Sequence, residues 1–408
     1  MSRVPALALL TSSLSLGACG GETTEPLQHL PRPLSASEQA LVEANASFAF
    51  ALFREALAGV EPKANVFVSP LSVGMALGMT LNGAAGGTEP AIRSALGVEA
   101  MSRDEVNRGF RDLIALLVGL DAGVDVGIAN SLWVRLGVPF EPDFLDVNRS
   151  HFDARVEALD FAAPAAAGTI NAWVNEETEG RIPTIVPDGL LPETAVMYVL
   201  NATYFRGAWT EPFDAALTKA TPFALAGGDT VDVATMTHGG MVRVRSGRRN
   251  GADVLELPYA RGAFSMVVIA PDDPADLETL VGGLTPATWA DWLGALQEGD
   301  TEVYLPKLSF AFEASLNEAL ETLGMGIAFS GAADFTRARA TGELAISEVR
   351  HKAFVEVDEE GTAAAAATVV SFFESGPPQV RVNRPFLLVM RERFSGTVMY
   401  LGRVMDPR

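Results

Sequence analysis

The chain has 408 residues, of which 48% are hydrophobic and 20% charged, so a sizeable core is available and wholesale disorder is excluded. Its formal net charge of −21 repels nucleic-acid phosphates and anionic lipid surfaces, which argues against nucleic acid or any other polyanion as a partner. A single cysteine leaves no disulfide within the chain, and stability must come from packing.

In chain order, Met1-Ser2-Arg3 gives a short positive start, and Val4 to Leu16 is an apolar run too short to span a bilayer as a stable anchor. Leu16-Gly17-Ala18-Cys19 and the polar Gly-Gly-Glu-Thr-Thr-Glu-Pro that follows resemble the signal and lipobox of bacterial lipoproteins. The resemblance implies a signal peptide over 1–18, acylation of Cys19, and a flexible tether over 19–36. It also implies an exported protein, extracellular or periplasmic, that meets a bacterial membrane only through that lipid. The plainer alternative is an ordinary secretory signal with an incidental cysteine.

A compact domain begins near Ser35 and is taken as one unit over 37–408. Ser35 and Glu38 are helix-start signals ahead of Leu41, Ala44, Phe48, Leu52 and Leu57 at helical spacing. Asn65 to Ser69 reads as a short strand stopped by Pro70. Leu71 to Leu81 is apolar almost all round and reads as a buried helix. Further helices are predicted over Ser102–Leu120, Pro142–His151, Ala165–Thr178, Pro274–Val281, Thr285–Gln297 and Glu313–Leu323. Strands are predicted over Gly127–Val134, Val196–Phe205, Val254–Pro258, Phe264–Pro271, Thr301–Phe312, Phe386–Arg391 and Val398–Val404. Helices first and strands later, without steady alternation, indicate an α+β fold.

Motifs for catalysis are missing: there is no Gly-x-Ser-x-Gly elbow, phosphate loop, dinucleotide fingerprint or His-Glu-x-x-His helix. The four histidines, His29, His151, His238 and His351, have no ligand-like spacing, and each reads as a packing or surface residue. No enzyme activity, metal or cofactor is expected. The most unusual stretch is Asp358 to Ser375. Asp358-Glu359-Glu360-Gly361-Thr362 is an acidic turn, the alanines at 363–367 favour helix, and Thr368-Val-Val-Ser-Phe-Phe373 favours strand. Conflict between neighbouring preferences concentrates at functional or strained sites.

That stretch resembles the reactive-centre-loop hinge of serpins, the metastable serine-protease inhibitors, and other serpin-like motifs follow in order. They are Asn65-Val-Phe-Val-Ser-Pro-Leu-Ser-Val73, Gly83-Ala-Ala-Gly-Gly-Thr88, Val199-Leu-Asn-Ala-Thr-Tyr-Phe-Arg-Gly-Ala-Trp209, Tyr304-Leu-Pro-Lys-Leu-Ser-Phe310, Asn383-Arg-Pro-Phe386 and Gly402-Arg-Val-Met-Asp-Pro407. The resemblance covers roughly 37 to 407. It implies three β-sheets, eight or nine helices, and an exposed loop over about 359–380 above a five-stranded main sheet. Ser69, Ser72, Asn201 and His351 fall on the family's polar shutter beneath that sheet, where serine hydroxyls and the asparagine amide would pair the histidine ring. Trp209 falls at the breach, where the loop enters.

The implied activity is suicide inhibition of a serine protease. The hinge is Glu359, Glu360, Gly361, Thr362, Ala363, Ala364, Ala365, Ala366, Ala367 and Thr368. Alternate side chains of a strand share a face, so Thr362, Ala364, Ala366 and Thr368 would enter a formed core, and all four are small. Counting forward from Gly361 places the cut bond at Ser375–Gly376. Counting back from Pro377-Pro378 and Asn383 gives Glu374–Ser375, because the loop is one residue shorter than the common pattern. The hinge count is preferred, since insertion length is what the mechanism constrains. Ser375 would suit elastase- or subtilisin-like targets, Glu374 a glutamate-selective one, and Phe373 a chymotrypsin-like one. Ala363 replaces a second hinge acid without ruling out inhibition. Around Ser102–Leu120, Arg103, Arg108 and Arg111 are offset by Asp104, Glu105 and Asp112, so a heparin-like activator is not expected. A monomer is expected. The runner-up is a non-inhibitory serpin, a binding or chaperone-like protein at the cell surface.

Overall fold

The computed structural model describes residues 25–360 and 378–408. The helix α1 (Ala36–Ala58) starts on a capping box in which Ser35 and Glu38 satisfy each other's backbone amides, and it buries Leu41, Phe48, Leu52 and Phe53. Next come β1 (Val66–Val68), α2 (Pro70–Leu81), α3 (Thr88–Leu96) and α4 (Arg103–Val118). Proline at the first position of α2 forgoes an amide that has no helical partner anyway, and the helix is buried on nearly every side. The chain continues through β2 (Val124–Arg135), α5 (Pro142–Phe152), β3 (Arg155–Leu159), α6 (Ala166–Glu177), β4 (Met197–Gly207), β5 (Lys219–Ala224), β6 (Thr230–Arg249), β7 (Ala252–Tyr259) and β8 (Phe264–Pro271). It closes with α7 (Leu277–Gly282), α8 (Pro286–Ala295), β9 (Gln297–Pro306), β10 (Leu308–Ser315), α9 (Asn317–Leu320), β11 (Arg350–Val357), β12 (Gln379–Arg381), β13 (Phe386–Glu392) and β14 (Val398–Val404). Among the described residues this is the expected α+β fold, with three hydrogen-bonded sheets and nine α-helices.

The large sheet has nine strands in the order β1-β14-β13-β8-β7-β6-β9-β12, with β5 added on β6. Every residue of β8, β13 and β14 is buried, as befits strands covered on both faces. The expected five-stranded main sheet is instead divided. Three strands pair as β3-β2-β4 and two as β10-β11, and no ladder joins β4 to β11 among the described residues.

Other expectations shift for local reasons. The strand expected over Thr301–Phe312 is two strands, because Pro306 has no amide to continue the ladder. Glu313 to Ser315 finish β10 rather than starting a helix, with Glu313 paired to Arg350 at 2.7 Å and to Lys352 at 3.1 Å. The helix expected to reach Gln297 stops at Ala295, where β9 takes over. The tether expected over 19–36 is not loose along its described part. Leu27, Leu30 and Leu34 pack on the core, and the Leu27 amide donates to Arg261 O at 2.7 Å.

Candidate functional site

The division of the main sheet organises the site. At one end of the gap, the C-terminal ends of β4 and β11 meet: the indole Nε1 of Trp209 donates to Asp358 O at 2.8 Å. At the other end, the start of β4 (Met197–Leu200) and the residues leading into β11 (Glu348–Arg350) line a cavity of about 720 Å³ together with Ala76, Leu77 and Thr80 of α2. The two strands therefore run parallel, side by side and unbonded. A chain that reverses after Val357 and descends between them would be antiparallel to both.

The reversal point is pinned from several sides. Trp209 is buried, stacked on Tyr259 at 4.3 Å between ring centroids and edge-on to Phe213 at 6.0 Å. The Phe213 amide donates to Glu359 O at 3.0 Å, and the Glu360 amide to the Asp358 carboxylate at 3.1 Å. The Glu359 side chain is buried, takes an ion pair from Lys307 Nζ at 2.6 Å, and accepts from Thr218 Oγ1 at 2.7 Å. Burial works to raise this carboxyl, but the bonds from Lys307 and Thr218 outweigh it and hold it below the usual carboxylate range. Behind this group, His238 stacks on Phe213 at 4.1 Å and takes no part in gripping the chain.

Beneath the gap, Ser69, Ser72, Asn201 and His351 lie together, all buried. The bonding differs from the expected one. His351 Nε2 accepts from the backbone amide of Ser69 at 3.2 Å, not from a hydroxyl or an asparagine amide. The Ser69 hydroxyl donates to Met399 O at 2.9 Å, and Ser72 donates its hydroxyl to Asn201 Oδ1. Asn201 in turn donates to Asn130 Oδ1, its direct partner in the β2–β4 register. The start of α2 thus holds β11 through His351 and β4 through Asn201, on opposite sides of the opening. Complete burial pushes the His351 imidazole down to about 4, so it is neutral at pH 7 with its proton on Nδ1.

Sequence reasoning missed Lys307, Thr218, Phe213, Tyr259 and Asn130. Asn130 alone left a local signal, as an asparagine inside an apolar strand facing a second one. The others are brought in from remote elements. Cys19, Gly361, Thr362, Ala363 to Ala367, Thr368, Phe373, Glu374, Ser375 and Gly376 lie outside the described residues. Among the described residues no three His, Cys, Asp or Glu side chains converge as a metal site requires.

Comparison with known proteins identifies the arrangement. A family model described as Serpin (serine protease inhibitor) matches residues 43–407. Leukocyte elastase inhibitor of Sus scrofa is 34% identical over 378 residues, covering 90% of this chain and 99% of its own. Serpin B9 of Homo sapiens is 32% identical over 379 residues, covering 90% of this chain and 100% of its own. Among solved structures, thyroxine-binding globulin in complex with thyroxine superposes with a TM-score of 0.81 at 27% identity, covering 90% of this chain and 99% of that one. Human glycosylated kallistatin superposes with a TM-score of 0.81 at 28% identity, with the same coverage. With a family match and relatives of this identity spanning nearly the whole domain, the chain belongs to the serpin family.

Proposed function

We propose that the protein inhibits serine proteases as a suicide substrate. The observation that carries the reading is the unbonded gap between parallel β4 and β11, with the chain gripped at its upper end by Trp209, Phe213 and Lys307. Among the described residues the facing edges of β4 and β11 have no strand partner, which leaves backbone groups to pair with an added strand. The segment after Glu360 is suited to enter, since Gly361 turns freely and the small side chains from Thr362 to Thr368 fit a formed interior.

In this reading the protease serine oxygen bonds to the carbonyl carbon of the cut residue. The peptide bond breaks, and the leaving amine takes the proton handed on by the protease's own base. The ester remains on the end of the loop. The freed strand then descends between β4 and β11, advancing about 3.3 Å per residue, and carries the acylated protease tens of Å down the body. A distorted oxyanion site would leave the ester unhydrolysed. The preferred bond is Ser375–Gly376, with Glu374 and Phe373 as alternatives. We also propose export and anchoring through a lipid on Cys19, a reading carried by the Leu16-Gly17-Ala18-Cys19 sequence.

The second reading, a carrier, is favoured by the likeness to thyroxine-binding globulin in its complex with thyroxine. The fold serves both, and the hinge decides: a carrier tolerates bulky residues where this chain has alanines. The test is incubation with elastase-, subtilisin- and chymotrypsin-like proteases. An SDS-stable complex is expected, its mass locating the cut, and Thr362→Arg should turn the inhibitor into a released substrate by forcing a charge into the interior. If every protease cuts the loop and leaves active, the protein is no inhibitor. An unmodified Cys19 in the exported protein would remove the lipid anchor from the proposal.

A further inference from the structure

The hinge grip depends on a turn that is itself under constraint. Tyr259, which stacks on Trp209, opens the connection between β7 and β8. In that connection Ala260 has φ +43°, in the left-handed region that a residue with a Cβ disfavours, and Gly262 has φ +85°. Such a conformation persists only where the surroundings over-determine it. Two groups do so here. The Asp121 carboxylate, buried, accepts from the amides of Arg261 at 3.0 Å and Ala263 at 3.5 Å. The other is the N-terminal segment: Arg261 O accepts from the Leu27 amide at 2.7 Å, while Arg261 Nε donates to Glu25 O at 2.9 Å. Gly123 leaves room for the turn, since a Cβ there would stand 2.5 Å from that of Ala260.

The far end of the same segment is fastened independently. Arg32 makes two bonds to the Glu38 carboxylate, at 2.6 and 2.7 Å, and Glu38 is buried in the cap of α1. Between the two fastenings, Leu27, Leu30 and Leu34 lie on the core. On its other side the turn reaches the hinge. The Ala260 amide donates to Ala208 O at 2.7 Å, Thr210 Oγ1 donates to Ala260 O at 2.9 Å, and Trp209 between them holds Asp358.

We propose that residues 25–35 form a brace for the hinge, with Arg261 as the positioning residue that transmits it. By clamping both the carbonyl and the guanidinium of Arg261, the segment holds the left-handed turn at Ala260 and keeps Tyr259 flat against Trp209. The brace thereby opposes escape of Asp358 and Glu359 from the top of the gap before any protease arrives. The proposal rests on the inhibitor reading for its purpose, although the mechanical coupling stands on the contacts alone.

Hydrogen–deuterium exchange on the full chain tests it. Arg261→Ala removes the bond to Glu25 and Leu27→Pro removes the donor to Arg261. Each is expected to speed exchange in peptides 205–213 and 355–360 roughly tenfold, the change that follows from losing about one such bond from a local opening equilibrium. Arg261→Lys, which restores a donor, should recover most of the protection. A destabilised control, Ile92→Ala in α3, should not speed exchange there beyond what its lower global stability dictates. Unchanged exchange at both peptides in the two brace variants would overturn the proposal, as would acceleration no greater than the control's. The readout needs no protease, so a wild type that traps nothing defeats the inhibitor reading and leaves the brace standing.

Discussion

The two largest sheet systems use similar strands to opposite ends. In the nine-stranded sheet, β7, β8 and β13 pair residue for residue, β14 joins β13 with a single register shift after Met390, and β8 is buried from Phe264 to Pro271. In the main sheet, β4 and β11 face each other without a ladder, above a polar cluster that includes a histidine, two serines and two asparagines. One has used its hydrogen-bonding capacity and the other has kept part of it. The difference locates where free energy can still be released: the interior strands of the paired sheet have no edge left to offer another strand, whereas β4 and β11 do.

Cutting the loop should exaggerate that contrast most. A strand inserted between β4, of 11 residues, and β11, of 8, would form roughly ten new backbone bonds at about 1 kcal/mol net each. After the ordering entropy of the strand, several kcal/mol remain, enough to raise Tm by ~10 °C on nicking. Scanning calorimetry before and after limited proteolysis measures it. An unchanged Tm would mean that the division of the main sheet stores nothing. Val267→Ala, in the paired sheet, should lower both forms equally and leave the rise intact.

Trp209→Ala should separate the two regions next. The side chain is buried against Tyr259 and Phe213, and removing such an aromatic costs about 3–5 kcal/mol. The uncut form should bear that loss, visible as a lowered urea midpoint. It should also exchange its 355–360 amides faster than Val267→Ala of matched stability. Equal exchange in the two variants would reduce Trp209 to an ordinary core residue.

Much of this contrast was legible in the sequence, though not the part that matters most. The capping box at Ser35–Glu38, the largely apolar runs of β8 and β14, and the buried helix from Pro70 announce themselves within a few residues of chain. So did the motifs on which Ser69, Ser72, Asn201 and Trp209 were placed, whereas His351 was assigned through the family resemblance alone. The missing ladder was not legible, because alternation tells a strand's faces and says nothing of its neighbours. Lys307 and Thr218 were invisible for the same reason: they reach Glu359 across 52 and 141 positions of sequence. The bonding of His351 was misread because a backbone amide, present at nearly every residue, leaves no mark in the sequence.

Acid should loosen the divided sheet selectively through that histidine. Burial lowers the His351 pKa from 6.5 to about 4, so the unfolded chain binds a proton in this window that the folded one refuses. Stability therefore rises with pH across the window: it is fully present above 6.5 and falls as pH drops towards 4. At 1.36 kcal/mol per unit the loss reaches about 3 kcal/mol. Urea midpoints at pH 7, 5.5 and 4 should follow this slope, and His351→Gln, which keeps an acceptor for the Ser69 amide, should flatten it. A slope that survives in His351→Gln must come from elsewhere.

The smallest effect expected is at Lys307, and its size is informative. The Lys307 side chain is 40% exposed while the Glu359 side chain it meets is only 10% exposed, so solvent screens one partner and hardly reaches the other. Lys307→Ala should cost the uncut form about 1 kcal/mol, since Thr218 still donates to the carboxylate. The pair also has a pH signature opposite in origin to that of His351. Because the folded carboxyl is held below its ordinary value, its contribution is present above about 4.5 and disappears as pH falls through the lowered folded value. Lys307→Ala should shrink that acid-dependent part below about 5 without altering the slope between 6.5 and about 5. Salt should narrow the gap between variant and wild type, because half the pair lies in water. If instead Lys307→Ala matches Trp209→Ala in cost, the carboxylate has been left buried without sufficient partners, and Glu359 rather than the tryptophan is the principal fastening at the top of the gap.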